Sequence, residues 1–218
     1  MTLGELKTLF RTLAQDAIKP YLWSDLELTG HANEGEIEAC RRAHLLVDST
    51  SEAAQASVSL GESTVLLDAR LLFIRRARLQ SCTVPLLLRV ARTMDDQVPG
   101  WENALPSNPV VLIPDLGTGL AQLYPPPAKD DTLKLTIVRE PLNEMVADAD
   151  RPEIPRRYHR ALVDWMLYRA YQKTDTETLD RERSNDALGR FEAEFGAKSR
   201  AIDEHWSLEQ YYDVGDFQ

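Results

Sequence analysis

Cysteine is scarce in this 218-residue chain: there are only two, Cys40 and Cys82. They form no framework of closely spaced pairs, which excludes a disulfide-stapled scaffold and fits a reducing compartment. No apolar run reaches 18 residues, and the opening MTLGELKTLF carries Glu5 among its apolar residues. It therefore reads as an amphipathic helix rather than a signal peptide or membrane span. Basic residues are outnumbered, 25 against 35 acidic, for a net charge of −10. An acidic surface repels phosphate backbone, which excludes tight nucleic-acid binding while leaving room for passive proximity to DNA. These properties describe a soluble, intracellular product.

The familiar chemical signatures are missing too. There is no GxSxG elbow and no HExxH pair. The GTG of DLGTGLAQLYP lacks the third glycine, the lysine and the following helix of a phosphate loop, so it reads as a hairpin turn. Cys40 and His44 have i, i+4 spacing, but zinc needs further ligands and no second pair follows. They read as a buried thiol beside a core or interface histidine. His159 and Asp164, five residues apart, fall on different sides of an ideal helix, so His159 is assigned to capping or packing at the helix entrance. Ser63, in a turn, has no marked base. Asp95–Asp96 and Asp130–Asp131 lack calcium-loop spacing and read as solvated turn charges. No catalytic residue, metal or cofactor is assigned.

What is present is 43% hydrophobic residues, enough for a substantial core in one domain or two small ones. Leu3, Leu6, Phe10, Leu13 and Ala17 follow helical spacing, and Thr2/Glu5 and Ser24/Glu27 have capping-box spacing. Gly30 and Gly35 predict a break or elbow in the second helix, since each costs roughly 1 kcal/mol relative to alanine. Ile37, Cys40, His44 and Leu45 would share a face beyond it. From Ser51 onward the pattern turns to short alternating runs. ASVSLGESTVLLD predicts two strands around Gly61–Ser63, LLFIRRARLQ a longer one, and TVPLLLRV another. RTMDDQVPGWENAL reads as a short helical or irregular excursion. PVVLIP and LAQLYP flank the glycine turn, and TLKLTIVRE alternates Leu133, Leu135 and Ile137 on one side. Together they predict a compact antiparallel sheet. After the acidic linker NEMVADADRPEIP, one helix is predicted from Arg156 to about Lys173. Another runs from Asp175 to about Glu204, with Leu188, Phe191, Phe195 and Ile202 on its seam.

The expected fold is therefore α+β, a helical bundle of N- and C-terminal helices with an inserted antiparallel β-rich block. The expected parts are 1–50, helical; 51–141, β-rich; 152–204, a helical hairpin completing the bundle; and 205–218, an extended tail. The helix after Pro155 carries Tyr158, Trp165, Tyr168 and Tyr171 on a wide apolar girdle, suited to contact on more than one side. Either the subunit buries all of it or another copy covers part. The tail HWSLEQYYDVGDFQ sets Trp206, Tyr211, Tyr212 and Phe217 among acids, a pattern suited to ordering on a partner or folding back on its own subunit.

Three segments in order, WSDLEL, LYPPPAKDDTLKLTIVREPL and PEIPRRYHRALVDWMLYRAYQKTDTETLDRERSNDALGRFEAEFG, resemble head-to-tail connector (adaptor) proteins of tailed bacteriophages. The resemblance runs from about Trp23 to about Arg200. The chain departs from it at Gly30 and Gly35, where such proteins are rich in helix formers. The resemblance implies a structural virion protein, made in the host cytoplasm and placed in the neck. It implies a ring, typically of twelve copies, that binds the portal protein on one side and tail or nozzle proteins on the other. DNA would pass through the channel without specific binding, and no membrane is involved. Tyr158, Trp165, Tyr168 and Tyr171 are then expected at a subunit or partner contact. Trp206, Tyr211, Tyr212 and Phe217 are expected in a strap that docks on the portal. Two readings compete: a non-viral interaction module of similar build, and a hydrolase drawing on His159, Asp164 and Ser63.

Overall fold

The computed structural model describes residues 1–174, 178–198 and Tyr212. In chain order the elements are α1 (Leu3–Ala14), α2 (Asp25–Ala43), β1 (Leu46–Asp48), β2 (Gln55–Val58), β3 (Thr64–Leu66), β4 (Leu71–Leu79), β5 (Leu87–Leu88), α3 (Ala91–Gln97), β6 (Val111–Gly117), β7 (Leu120–Tyr124), β8 (Asp131–Arg139), α4 (Leu162–Ala170) and α5 (Arg181–Phe195). The fold class is α+β. The chain divides into two compact units: Met1–Leu46 with Glu140–Lys198, and Val47–Arg139 with Ser199–Gln218.

The first unit buries one apolar core among α1, α2, α4 and α5, with Phe10, Trp23, Leu28, Leu162, Met166 and Phe191 at its centre. Both predicted capping boxes are present. Thr2 and Glu5 exchange hydrogen bonds at the start of α1, as Ser24 and Glu27 do at the start of α2.

The break expected at Gly30 and Gly35 does not occur, and α2 is continuous over 19 residues. Gly30 is exposed and faces nothing within 4 Å, so its cost is only the intrinsic one. Gly35 is a packing residue: a Cβ there would lie 3.0–3.1 Å from Cδ1, Cβ and Cγ of Trp165. The indole occupies the space that a side chain would need, and its burial outweighs the propensity loss. His44, expected on a shared buried face with Cys40, is exposed and forms the left-handed cap of α2 (φ 51°), donating its backbone N–H to Cys40 O. Cys40 is fully buried.

The helix expected from Arg156 to Lys173 is shorter and preceded by a tighter turn. Arg156–Tyr158 is 3-10, and i→i+3 hydrogen bonds continue through Ala161, Val163 and Asp164 before α4 is established. At the other end, Ala170 O accepts from Trp23 Nε1 (3.1 Å) and Tyr171 O from Asp180 N (3.1 Å), so both carbonyls are engaged outside a continuing helix. α5, expected to begin near Asp175, starts after Asp180, whose carboxylate caps Arg183 N, and stops at Gly196 (φ 90°). Leu188, Phe191 and Phe195 lie on its core side, while Ile202 falls outside the described residues.

The segment expected as an acidic linker is integral to the first unit. Met145 and Ile154 are buried, and Asp148 O and Asp150 O accept the orphan N–H groups of Gly4 and Leu3. Lys7 pairs with Asp148 at 2.8 Å. Glu36, 2% exposed, accepts from the backbone N–H groups of Glu153 and Ile154. Burial raises its carboxyl to about 7 against the pull of those two amides. The folded value lies above the unfolded one, so stability is full below about pH 4.5 and falls as pH rises through 7. Glu36→Gln keeps the acceptor and removes the charge. Thermal melts from pH 5 to pH 8 should therefore show the wild type losing about 1–2 kcal/mol more than the variant.

The second unit departs from the single antiparallel sheet expected. Among the described residues it holds two four-stranded sheets, one with β4 and β8 paired and the path β1-β8-β2, the other ordered β3-β7-β6-β5. β2 and β3, adjacent in sequence, pair with different partners, β8 and β7. β5 runs parallel to β6 because α3 and the 3-10 turn Trp101–Asn103 carry the chain back in a crossover long enough for parallel pairing. Val111, Ile113, Met94 and Trp101 pack under that crossover. The glycine turn lies between β6 and β7 as predicted, with Gly119 at φ +71°, a conformation that disfavours a Cβ. Leu133, Leu135 and Ile137 are buried together on β8.

Candidate interaction surfaces

α4 and the turn before it place the four expected contact aromatics within the first unit. Trp165 is 5% exposed and Tyr171 6% exposed, whereas Tyr158 and Tyr168 are half-buried. The Trp165 ring lies 4.9 Å from Phe191 and 5.1 Å from Tyr168, with the Arg42 guanidinium 5.3 Å from its centroid. Tyr171 meets Trp23 edge-on at 5.7 Å, and Trp23 meets Phe10 at 5.4 Å. Tyr158 packs against Phe195 at 5.6 Å. These contacts join α1, α2, α4 and α5 and account for much of the girdle's width.

The residues weighed for chemistry are engaged elsewhere. His159 is 4% exposed; its Nε2 lies 2.8 Å from Ile154 O and its Nδ1 2.7 Å from the amino group of Met1. This is the packing role expected of it. Asp164 accepts from Arg190 Nε at 2.6 Å. Ser63 contributes its carbonyl to Leu123 N. The two acidic pairs serve the fold: Asp95, on α3 rather than in a turn, accepts from Trp101 Nε1 (2.9 Å). Asp130 accepts from Leu60 N (2.8 Å), and Asp131 accepts from Thr132 N (2.7 Å) and from Ser81. Among the described residues no cluster of three His, Cys, Asp or Glu side chains is arranged for a metal, and no helix is long and apolar enough to cross a membrane.

Exposed apolar side chains, which the periodicity does not single out, mark surfaces available to other molecules. In the first unit Leu13, Ile18, Leu22 and Leu26 lie exposed along the turn between α1 and α2, with Ile18 and Leu26 above 80%. A groove of about 440 Å³ between α1, α4 and α5 has a floor of Leu9, Leu13, Val163 and Leu167. Its rim carries Arg160, Arg183 and Arg190 with Asp164 and Asp186. In the second unit Leu66, Leu116 and Leu120 border a cleft of about 750 Å³ between β3, β4 and the β6–β7 hairpin. Tyr212 lines this cleft, 6% exposed, and its hydroxyl accepts from Ile74 N at 2.8 Å. Trp206, Tyr211 and Phe217 fall outside the described residues. The signal for the first surface lay in WSDLEL, whose Leu26 precedes the buried Leu28 by two residues; capping explained the segment without requiring Leu26 to be buried.

No curated protein matches the chain significantly. Residues 1–212 match the family described as SU10 adaptor protein, which spans both units and the tail to Tyr212. The chain thus belongs to the SU10 adaptor protein family and is a bacteriophage structural adaptor.

Proposed function

We propose that the protein is a virion component of the neck that forms a ring, of about twelve copies, between the portal and the tail. The helical bundle with its inserted β-rich block is the ring's repeating body. The family match over nearly the whole chain carries this reading. The portal protein lies on one side of the ring and tail or nozzle proteins on the other. The net charge of −10 suits a channel through which DNA passes without adhering, because phosphates find few counter-charges. The reading assigns the protein no catalytic role and a place in genome ejection.

Lateral packing uses the half-buried Tyr158 and Tyr168 together with the exposed Ile18, Leu22 and Leu26. Trp165 and Tyr171 support that contact from beneath by fixing α4. The C-terminal aromatics Trp206, Tyr211, Tyr212 and Phe217 form the strap that engages the portal.

Deleting Ser207–Gln218 should lower co-sedimentation with the portal by at least about tenfold, since each 1.4 kcal/mol of lost anchor contact is a factor of ten. Unchanged binding eliminates the strap. Mixing the full chain with portal should give a ring in negative-stain images, and its absence from the neck of purified virions would overturn the adaptor reading.

A further inference from the structure

The cleft beside Tyr212 has three properties that belong together. The first stretch of β4, Leu71–Ile74, pairs with β8, and its Leu71, Leu72 and Phe73 line the cleft. Clefts bordered by a strand are sites where an extended segment of polypeptide binds. The backbone N–H of Ile74 on that stretch donates to the Tyr212 hydroxyl, a buried contact across 138 positions of sequence. With Tyr212 forming part of the wall, about 750 Å³ remains open, within the range of clefts that hold ligands. Its rim leaves Leu66 74%, Leu116 44% and Leu120 36% exposed, so apolar surface remains for more than one aromatic side chain.

We propose that this cleft is the binding site for the chain's own C-terminal segment, held in cis by Tyr212. The occupant is identified by the seated tyrosine and by its sequence neighbours, aromatics that suit a leucine-lined cleft. Tyrosine is required because the ring fills apolar space while the hydroxyl satisfies a strand amide that would otherwise be buried without a partner. On the adaptor reading, the segment must leave this site before it straps a portal.

Amide exchange at Ile74, followed by NMR on the full-length chain, tests the site without any portal present. Tyr212→Phe should speed exchange at Ile74 by at least about tenfold, and Tyr212→Ala should speed it further and open the tail to protease. β8 amides such as that of Leu135 should exchange as in the wild type, showing that the sheet is intact. Unchanged exchange at Ile74 in both variants overturns the proposal. Protection that rises with protein concentration places the tyrosine of a second copy in the cleft and overturns the cis assignment. Adding portal then separates the two readings. Binding with loss of Ile74 protection supports release, and binding with protection intact refutes it. Failure to bind at all counts against the adaptor reading and leaves the site standing.

Discussion

Asp48→Ala is expected to destabilise the protein by about 3–5 kcal/mol, measured by urea unfolding at pH 7. Asp48 ends β1 and Arg139 ends β8, and their side chains are 8% and 7% exposed with Arg139 Nε 2.6 Å from the carboxylate. The same carboxylate accepts from Thr50 N (2.9 Å) and Ser51 N (3.1 Å). Removing it takes a buried ion-pair partner from the guanidinium and frees the turn that leads into β2. Burial alone would raise Asp48, but hydrogen bonds from Ser51, Thr50 and Arg139 outweigh it and hold the carboxyl well below the usual range. Because the folded value is depressed, the contribution is present above about pH 4 and disappears as pH falls through that lowered value. An Asp48→Leu, Arg139→Met double variant should recover part of the loss, because it removes the desolvation cost of both buried charges while Thr50 N and Ser51 N still lose their acceptor. If Asp48→Ala costs under about 1 kcal/mol, the pair is not an anchor of this sheet.

Gly35→Leu is the other large effect, a loss of about 3 kcal/mol. Three atoms of the Trp165 side chain already stand 3.0–3.1 Å from where a Cβ would be, and Trp165 is wedged against Phe191 and Tyr168. Two of those atoms, Cβ and Cγ, are the root of the side chain and move only with the α4 backbone, so α2 and α4 must separate. Gly30→Ala, five residues earlier on the same helix, should instead stabilise by about 0.5–1 kcal/mol, since nothing lies within 4 Å and the helix gains propensity. Opposite signs for two glycines of one helix are the diagnostic outcome. A Gly35→Leu variant with wild-type melting would show that the two helices do not depend on this contact.

The aromatic helix shows how far reading from the sequence could go. Its apolar girdle was legible from spacing, and so was the ambiguity over what covers it. Periodicity reports that a face will be buried but carries no information about the partner. In the structure Trp165 and Tyr171 are buried within the first unit, while Tyr158 and Tyr168 keep surface. The exposed leucines bordering the cleft carry no signal in the sequence, because strand alternation marks which residues face the core. It does not mark which outward residues gather beside a tail residue more than ninety positions away.

Local chemistry by itself determined the capping boxes, the glycine turn between β6 and β7, the buried face of β8 and the α+β class. Each depends on residues within a few positions of one another, so the sequence states them directly. Tertiary structure alone decided that α2 runs unbroken past Gly35, that β2 and β3 join different sheets, and that Tyr212 seats on β4. Those outcomes are set by contacts between distant residues, where burying an indole or satisfying a strand amide outweighs the local preference of a glycine, a turn or a chain end.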